Sequence, residues 1–146
     1  MVKNDMHKVL LIFSSILCVS SVVGDEPVPV IPNSVNDMMV SVIAPATNTL
    51  WGIEDPQTDA DWQVFIDAAD AVLETATKLQ HGGAGPNDQE WSESPEWQAF
   101  VDRLIEAGND ARQAAKAKDV DAMYAAGDIL YPPCEECHMQ FHPGLQ

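Results

Sequence analysis

Two cysteines and a histidine stand close together near the end of this 146-residue chain, in the sequence Cys134-Glu-Glu-Cys137-His138. Cys-x-x-Cys-His is the attachment pattern of c-type haem, in which both thiols form thioether bonds with the porphyrin and the histidine binds the iron. On a helix, a spacing of three residues keeps both sulfurs on one side. The motif therefore predicts one covalent haem c, tethered by Cys134 and Cys137, with His138 as the proximal iron ligand.

Other chemistries use the same residue types. A structural zinc site needs four ligands, and Cys134, Cys137 and His142 supply three with no fourth candidate after them. A thioredoxin-like thiol pair follows a β-strand in a βαβ unit, whereas the residues before Cys134 have a helical pattern. A disulfide that closes so small a loop would constrain the unfolded chain little. Haem attachment is the favoured interpretation, and zinc binding and redox thiols are the alternatives.

Residues 1–24 have the pattern of a secretory signal peptide. Lys3 and Lys8 precede VLLIFSSILCVSSVV, a run of 15 uncharged residues. Gly24 follows this run and precedes a polar segment. This run is short for a membrane span, which needs about 20 residues. We therefore predict cleavage after Gly24 and no stable membrane insertion of the mature chain. Because haem c is attached outside the cytoplasm in bacteria, we expect a periplasmic protein.

The chain is strongly acidic. It has 7 Lys and Arg against 23 Asp and Glu, and a formal net charge of −16. Loss of residues 1–24 would leave 5 positive and 22 negative side chains, a net charge of −17. Such a surface repels polyanions, so nucleic-acid binding is excluded as a function. We expect redox partner proteins to present a basic docking face.

Apolar residues recur at helical intervals through most of the mature chain. Residues 25–33 contain three prolines and are predicted to form an extended lead-in. The helical segments that follow cover residues 35–50, 62–79, 97–115 and 120–141, with cap residues at Asn33 or Ser34, Thr58 or Asp59, Ser94 and Asp119. The sequence thus predicts an all-α fold, an antiparallel four-helix bundle over residues 34–146 with a C-terminal haem-attachment motif.

Prolines and glycines should interrupt this pattern. Pro45 is expected to kink or divide the first helix. Pro132 and Pro133 directly precede Cys134 and predict a bend, or the start of a separate short helix that carries the motif. The segment HGGAGPND, residues 81–88, is predicted to be the longest loop.

The helical pattern and the motif near the C-terminus resemble the class II cytochromes c, the cytochrome c′ group and its methionine-ligated relatives. The likeness covers roughly residues 34–142, and MMVSVIAPATNTLWG is similar to the first helix of the methionine-ligated members. The resemblance implies that this helix supplies the group on the far side of the iron. It implies Met39, six residues before Pro45, as the distal ligand, with Met38 as the second choice.

The resemblance also implies a function: a single-electron carrier with no enzymatic activity of its own. A thioether ligand raises the reduction potential and favours electron transfer. The alternative is a five-coordinate, cytochrome c′-like protein that binds NO or CO at an open distal site, with both methionines packed aside. Members of the group often form homodimers through their first helices, so a homodimer is possible here.

The sequence also gives expectations for basic and aromatic residues around the motif. Many members have an arginine or lysine near the motif, but here the nearest basic residue in sequence is Lys118, so a positive neighbour is not expected. His142 is expected in solvent rather than beside a haem propionate, and His81 at a helix end, where the dipole favours it. Trp91 is expected to anchor a loop. The other tryptophans are expected in the core or the haem wall: Trp51, Trp62 and Trp97.

Overall fold

The computed structural model describes residues 33–142 and Gly144, and most of this part of the chain is helical. The elements in order are α1 (Val35–Met38), a π-helical segment (Met39–Ile43), α2 (Ala44–Trp51), α3 (Asp59–Leu79), α4 (Asp88–Ser92), α5 (Pro95–Ala117) and α6 (Val120–Phe141). Because the described residues contain no strand, the all-α prediction is confirmed. The predicted signal peptide, and the lead-in before Asn33, lie outside the described residues. Within the described part, no helix has the length and apolar character needed to cross a membrane.

Polar side chains begin the long helices at the predicted positions. Ser34 and Thr58 each form a capping box, with Asp37 and Asp61 respectively. The Ser94 hydroxyl accepts from the Trp97 N–H, and Pro95 occupies the first turn of α5. The Asp119 carboxylate accepts from the Ala122 N–H at the start of α6.

The pairing of helix ends shows that neighbouring long helices run in opposite directions. Trp97, early in α5, donates its indole N–H to the carbonyl of Leu79 at the end of α3, at 2.7 Å. At the other end of this pair, Lys118 lies 2.5 Å from the carboxylate of Asp59. The turn at Lys118, with φ of 57°, leads directly into α6. α6 therefore returns along α5, and α2 packs against both α3 and α6.

Small side chains recur at buried positions of α3 and α5, and Gly108 of α5 lies against Leu73 and Val72 of α3. Ala69, Ala76, Ala107 and Ala115 each have no exposed surface, and Ala111 is 1% exposed. Alanine at these facing positions lets two helix backbones approach closely and still exclude water. α5 packs against α3 on one side and α6 on another, so it lies between the two.

The first helix changes its hydrogen-bonding pattern before Pro45 and does not break. Ala44 donates its N–H to the carbonyl of Met39, five residues earlier, which is the bond of a π-helix. Pro45 has no N–H to donate, so an ordinary helical bond to Ser41 is lost. The predicted division of the helix at Pro45 takes the form of a π-helical segment at Met39–Ile43 between two α-helical segments.

The alternative prediction, in which a separate short helix carries the haem motif, is wrong because α6 runs unbroken through Pro132 and Pro133. The carbonyls that lose their helical donors belong to Asp128 and Ile129. Both of these residues are exposed, so water can bond to their carbonyls. The helix therefore continues through the prolines into Cys134.

Candidate functional site

Cys134, Cys137 and His138 lie together on the last two turns of α6 and line an apolar cavity of about 200 Å³. Its walls come from α6, the first helix, α3 and α5. Most of them are apolar or aromatic, including Ile43, Trp51, Leu79, Trp97, Phe100, Val101, Leu104 and Pro133. The hydroxyl of Thr47, another wall residue, donates to the carbonyl of Ile43 at 2.9 Å. The O–H donor of Thr47 is therefore satisfied within its own helix.

A second cavity of about 460 Å³ adjoins the first, and both are lined by Met39, Ala44, Trp97, Cys137 and His138. It extends past Phe141 and His142 to the start of α1. Pockets that hold cofactors and drug-sized ligands are typically about 300–1,000 Å³. The two spaces together fall within that range, and the residues between them include the motif histidine.

The structure brings Met39 to the same cavities as the motif. Met39 comes from the π-helical segment and lines both spaces, as His138 does from α6. Met38 is 5% exposed, belongs to the hydrophobic core and lines neither cavity. The two methionines are adjacent in sequence, but only Met39 shares a cavity with the motif.

The cysteine thiols lie in an environment that keeps them protonated. They are free, with no disulfide between them. Burial raises the pKa of the Cys134 thiol. The pKa of the Cys137 thiol is raised to about 11, mainly by burial and to a smaller extent by the nearby Cys134. Redox thiols of the thioredoxin type need a lowered pKa, so the redox alternative loses support. Among residues 33–142 and Gly144, no three His, Cys, Asp or Glu side chains are grouped to hold a metal ion.

A basic residue does lie beside the motif, contrary to the expectation from sequence. Arg103 of α5 donates to the carboxylate of Glu136, between the two cysteines, at 2.6 Å. Hydrogen bonding to Arg103 lowers the pKa of Glu136. The guanidinium carbon also lies 5.2 Å from the ring centre of Phe100, a cavity residue. The nearest cation in sequence, Lys118, is not the nearest in space, since antiparallel packing brings the start of α5 to the end of α6.

Sequence reasoning also missed Asp88, a carboxylate that ties the glycine-rich loop to the first helix. The side chain is 3% exposed and accepts from the Val35 N–H at 2.7 Å and from the Gly85 N–H at 2.8 Å. A Cβ on Gly83 or Gly85 would lie 2.6 Å from its oxygens, so side chains there would displace it. The available signal was an aspartate at the end of a segment that contains three glycines, Gly82, Gly83 and Gly85. Asp88 was assigned to the loop, whereas it begins the short helix α4.

Aromatic side chains close the cavity beside the end of α6. Trp91 stacks on Trp97 with ring centres 5.9 Å apart, and Phe141 packs edge-on against Trp97 at 5.2 Å. Trp91 lies in α4 and lines the second cavity, which differs from the expected role as a loop anchor. His142 is exposed as predicted, and it lies at the rim of the second cavity. His81 is exposed, just after α3.

Comparison with protein-family models, with curated proteins and with solved structures finds no match for this chain.

Proposed function

We propose that this chain is an exported, periplasmic cytochrome that carries one covalently bound haem c and transfers single electrons without catalysing a reaction of its own. We further propose that its helices form an antiparallel four-helix bundle of the class II cytochrome c type. The observation that carries the proposal is the shared apolar cavity. Cys134, Cys137 and His138 from the last helix and Met39 from the first all line it.

Each of these residues has a role in the proposal. When bound, the haem supplies an iron that changes its charge by one electron. Cys134 and Cys137 hold the porphyrin through thioether bonds, which prevent loss of the cofactor. His138 would bind the iron through an imidazole nitrogen, and Met39 would offer a thioether sulfur as a second ligand.

The walls of the cavity and Met39 together support an electron carrier with a raised reduction potential. Leu79, Trp97 and Leu104 are at most 6% exposed, so water has little access to the iron from their side. An apolar, poorly hydrated surrounding disfavours the more highly charged oxidised state and raises the reduction potential. A methionine sulfur acts in the same direction, and Met39 is the cavity residue that can supply one.

The test is the absorption spectrum of the purified, exported protein, oxidised and then reduced, with and without carbon monoxide. We expect a low-spin spectrum, a methionine–iron charge-transfer band in the oxidised form, and no response to carbon monoxide. A high-spin spectrum that shifts at once with carbon monoxide would contradict methionine ligation and favour the five-coordinate alternative. A colourless protein, exported with the haem-attachment machinery present, would overturn the whole proposal.

A further inference from the structure

One side of the molecule carries an exposed pattern of acids and aromatic rings, which we call the acidic–aromatic face. On α6, exposed residues alternate at intervals of three and four, so they lie along one side of the helix: Asp121, Tyr124, Asp128, Tyr131 and Glu135. Trp51 of α2 joins them, with its ring centre 6.3 Å from that of Tyr131. Tyr124 and Tyr131 are both more than half exposed, and Trp51 is 39% exposed.

Trp51 connects this face to the candidate haem cavity. Its side chain lines that cavity, and it also lines a surface depression of about 450 Å³ together with Tyr124, Asp128 and Tyr131. The indole N–H donates to the carbonyl of Gly127 at 3.1 Å, which holds the ring against α6. A Cβ on Gly127 would lie 3.2 Å from the ring, so the glycine permits this close contact. A single side chain therefore reaches from the cavity wall to the surface.

The charge of the acidic–aromatic face is not balanced by nearby cations. Residues 33–77 and α6 contain no lysine or arginine. The Lys and Arg side chains of the described residues lie at the end of α3, on α5, or in the turn after it, and four of these five form ion pairs with other carboxylates. No ion pair in the described structure involves Asp121, Asp128 or Glu135. Their negative charge faces solvent and is available to a partner.

We propose that the acidic–aromatic face is the docking surface for a basic redox protein, with Trp51 as the side chain between the partner and the haem cavity. The inference rests on the proposed function and adds the location of the partner. In the docked pair, one electron passes between the haem iron and the partner's redox centre. One centre is oxidised as the other is reduced, and no bond or proton is exchanged.

The chemistry of the face selects this partner. Exposed tryptophan and tyrosine are the residues that most often carry binding energy at protein interfaces. The surrounding carboxylates would attract lysine and arginine and raise the association rate. A second copy of this chain would bring the same uncompensated acids against this face, and like charges opposed in this way repel. An anionic membrane or nucleic acid would be repelled for the same reason.

Calorimetric titration at low salt would test the docking surface, with a small basic cytochrome c, rich in surface lysine, as the probe. The test variant is Asp121→Asn/Asp128→Asn. The matched control, Asp67→Asn/Glu106→Gln, makes the same charge change at exposed positions on α3 and α5. We expect about tenfold weaker binding for the test variant and less than twofold for the control, because local charge dominates steering. Tyr124→Ala, which leaves the charge unchanged, should weaken binding about fivefold.

The absorption spectra of all variants are recorded first, and each should match that of the parent protein. Equal weakening by the two double variants would mean that only net charge matters, and it would overturn the docking surface while leaving the cytochrome assignment intact. Unchanged binding in the test variant would overturn it as well. A parent protein without bound haem would overturn the proposed function, and this inference with it, before any titration.

Discussion

The two sides of the candidate haem cavity are built in different ways. On the α6 side, the proposed haem-binding residues lie within five positions of one another, from Cys134 to His138, so one to two helical turns are enough to group them. On the side of the first helix, Met39 approaches from a separate segment of the chain, and long-range contacts set its position. The first side is therefore robust to changes elsewhere in the fold, whereas the second depends on how the first helix is held.

Asp88 is the main polar contact that holds the start of the first helix. Its carboxylate accepts from Val35, four residues before Met39, at 2.7 Å. A second tie joins the same segments, since the Ala84 N–H donates to the carbonyl of Asn33. A buried carboxylate that accepts two backbone N–H groups is a strong and directional restraint. Changes on the two sides of the cavity should therefore have different consequences.

The largest effect is expected from removing both tethers, in Cys134→Ala/Cys137→Ala. Without thiols no thioether bond can form, so covalently bound haem should be lost completely. Haem staining of the denatured protein after electrophoresis measures this directly. Cys18→Ala is the control, because its cysteine lies in the predicted signal peptide and should leave the stain unchanged. Staining that survived in the double variant would contradict attachment through these residues.

Removing the proposed distal sulfur, in Met39→Ala, should open the iron to added ligands while leaving the haem covalently attached. We expect a high-spin spectrum, binding of carbon monoxide, and a lower reduction potential, since the thioether that stabilises the reduced iron is gone. Met38→Ala is the matched control. It removes a buried core side chain and should cost about 2–5 kcal/mol of stability without opening the iron. If Met38→Ala bound carbon monoxide and Met39→Ala did not, the distal ligand would be Met38 and not Met39.

A smaller effect is expected from Asp88→Asn, which keeps the size of the side chain but replaces one acceptor oxygen with an amide. The Val35 and Gly85 N–H groups bond to the same carboxylate oxygen, so the amide oxygen of the variant can still accept both. The bonds lose their charge assistance, which should cost about 1 kcal/mol. Because the bonds position the helix of Met39, the methionine–iron band should weaken and some carbon monoxide should bind.

The matched control for Asp88→Asn is Asp61→Asn. Asp61 also accepts from two backbone N–H groups, those of Thr58 and Gln57, but at the start of α3 and in an exposed position. The Asp61→Asn variant should have a slightly lower thermal stability and an unchanged absorption spectrum. If both variants altered stability and neither altered the spectrum, Asp88 would be a purely structural restraint.

The smallest expected effect is a pH dependence at Asp61. Hydrogen bonds from backbone N–H groups, chiefly that of Thr58, lower the pKa of the Asp61 carboxyl in the folded protein below its ordinary value of 3.8. The stabilisation is therefore fully present above that pH and is lost as the pH falls through the folded-state pKa. Chemical denaturation should show a constant difference between the parent protein and Asp61→Asn from pH 7 to 5, shrinking below about pH 3.8. A difference that grew on acidification would contradict this sign.

Expectations drawn from local pattern agree with the structure more closely than those drawn from proximity in sequence. The capping positions Ser34 and Thr58 were predictable because a cap involves only the next three residues. The sequence left open whether α6 continues through Pro132 and Pro133 or a separate helix begins there, since the answer depends on which carbonyls face solvent. The ion pair of Arg103 with Glu136 joins residues 33 positions apart, so spacing along the chain says nothing about it.

By itself, the sequence determined the helical class, the caps and the grouping of Cys134, Cys137 and His138, because these features arise within one or two helical turns. The tertiary structure decided which methionine lines the cavity, where the cations lie, and that the Asp88 carboxylate is buried. The physical reason is that burial and long-range contacts are set by the way helices pack. Periodicity indicates that a side chain faces inward, but only the packed neighbours determine what it meets there.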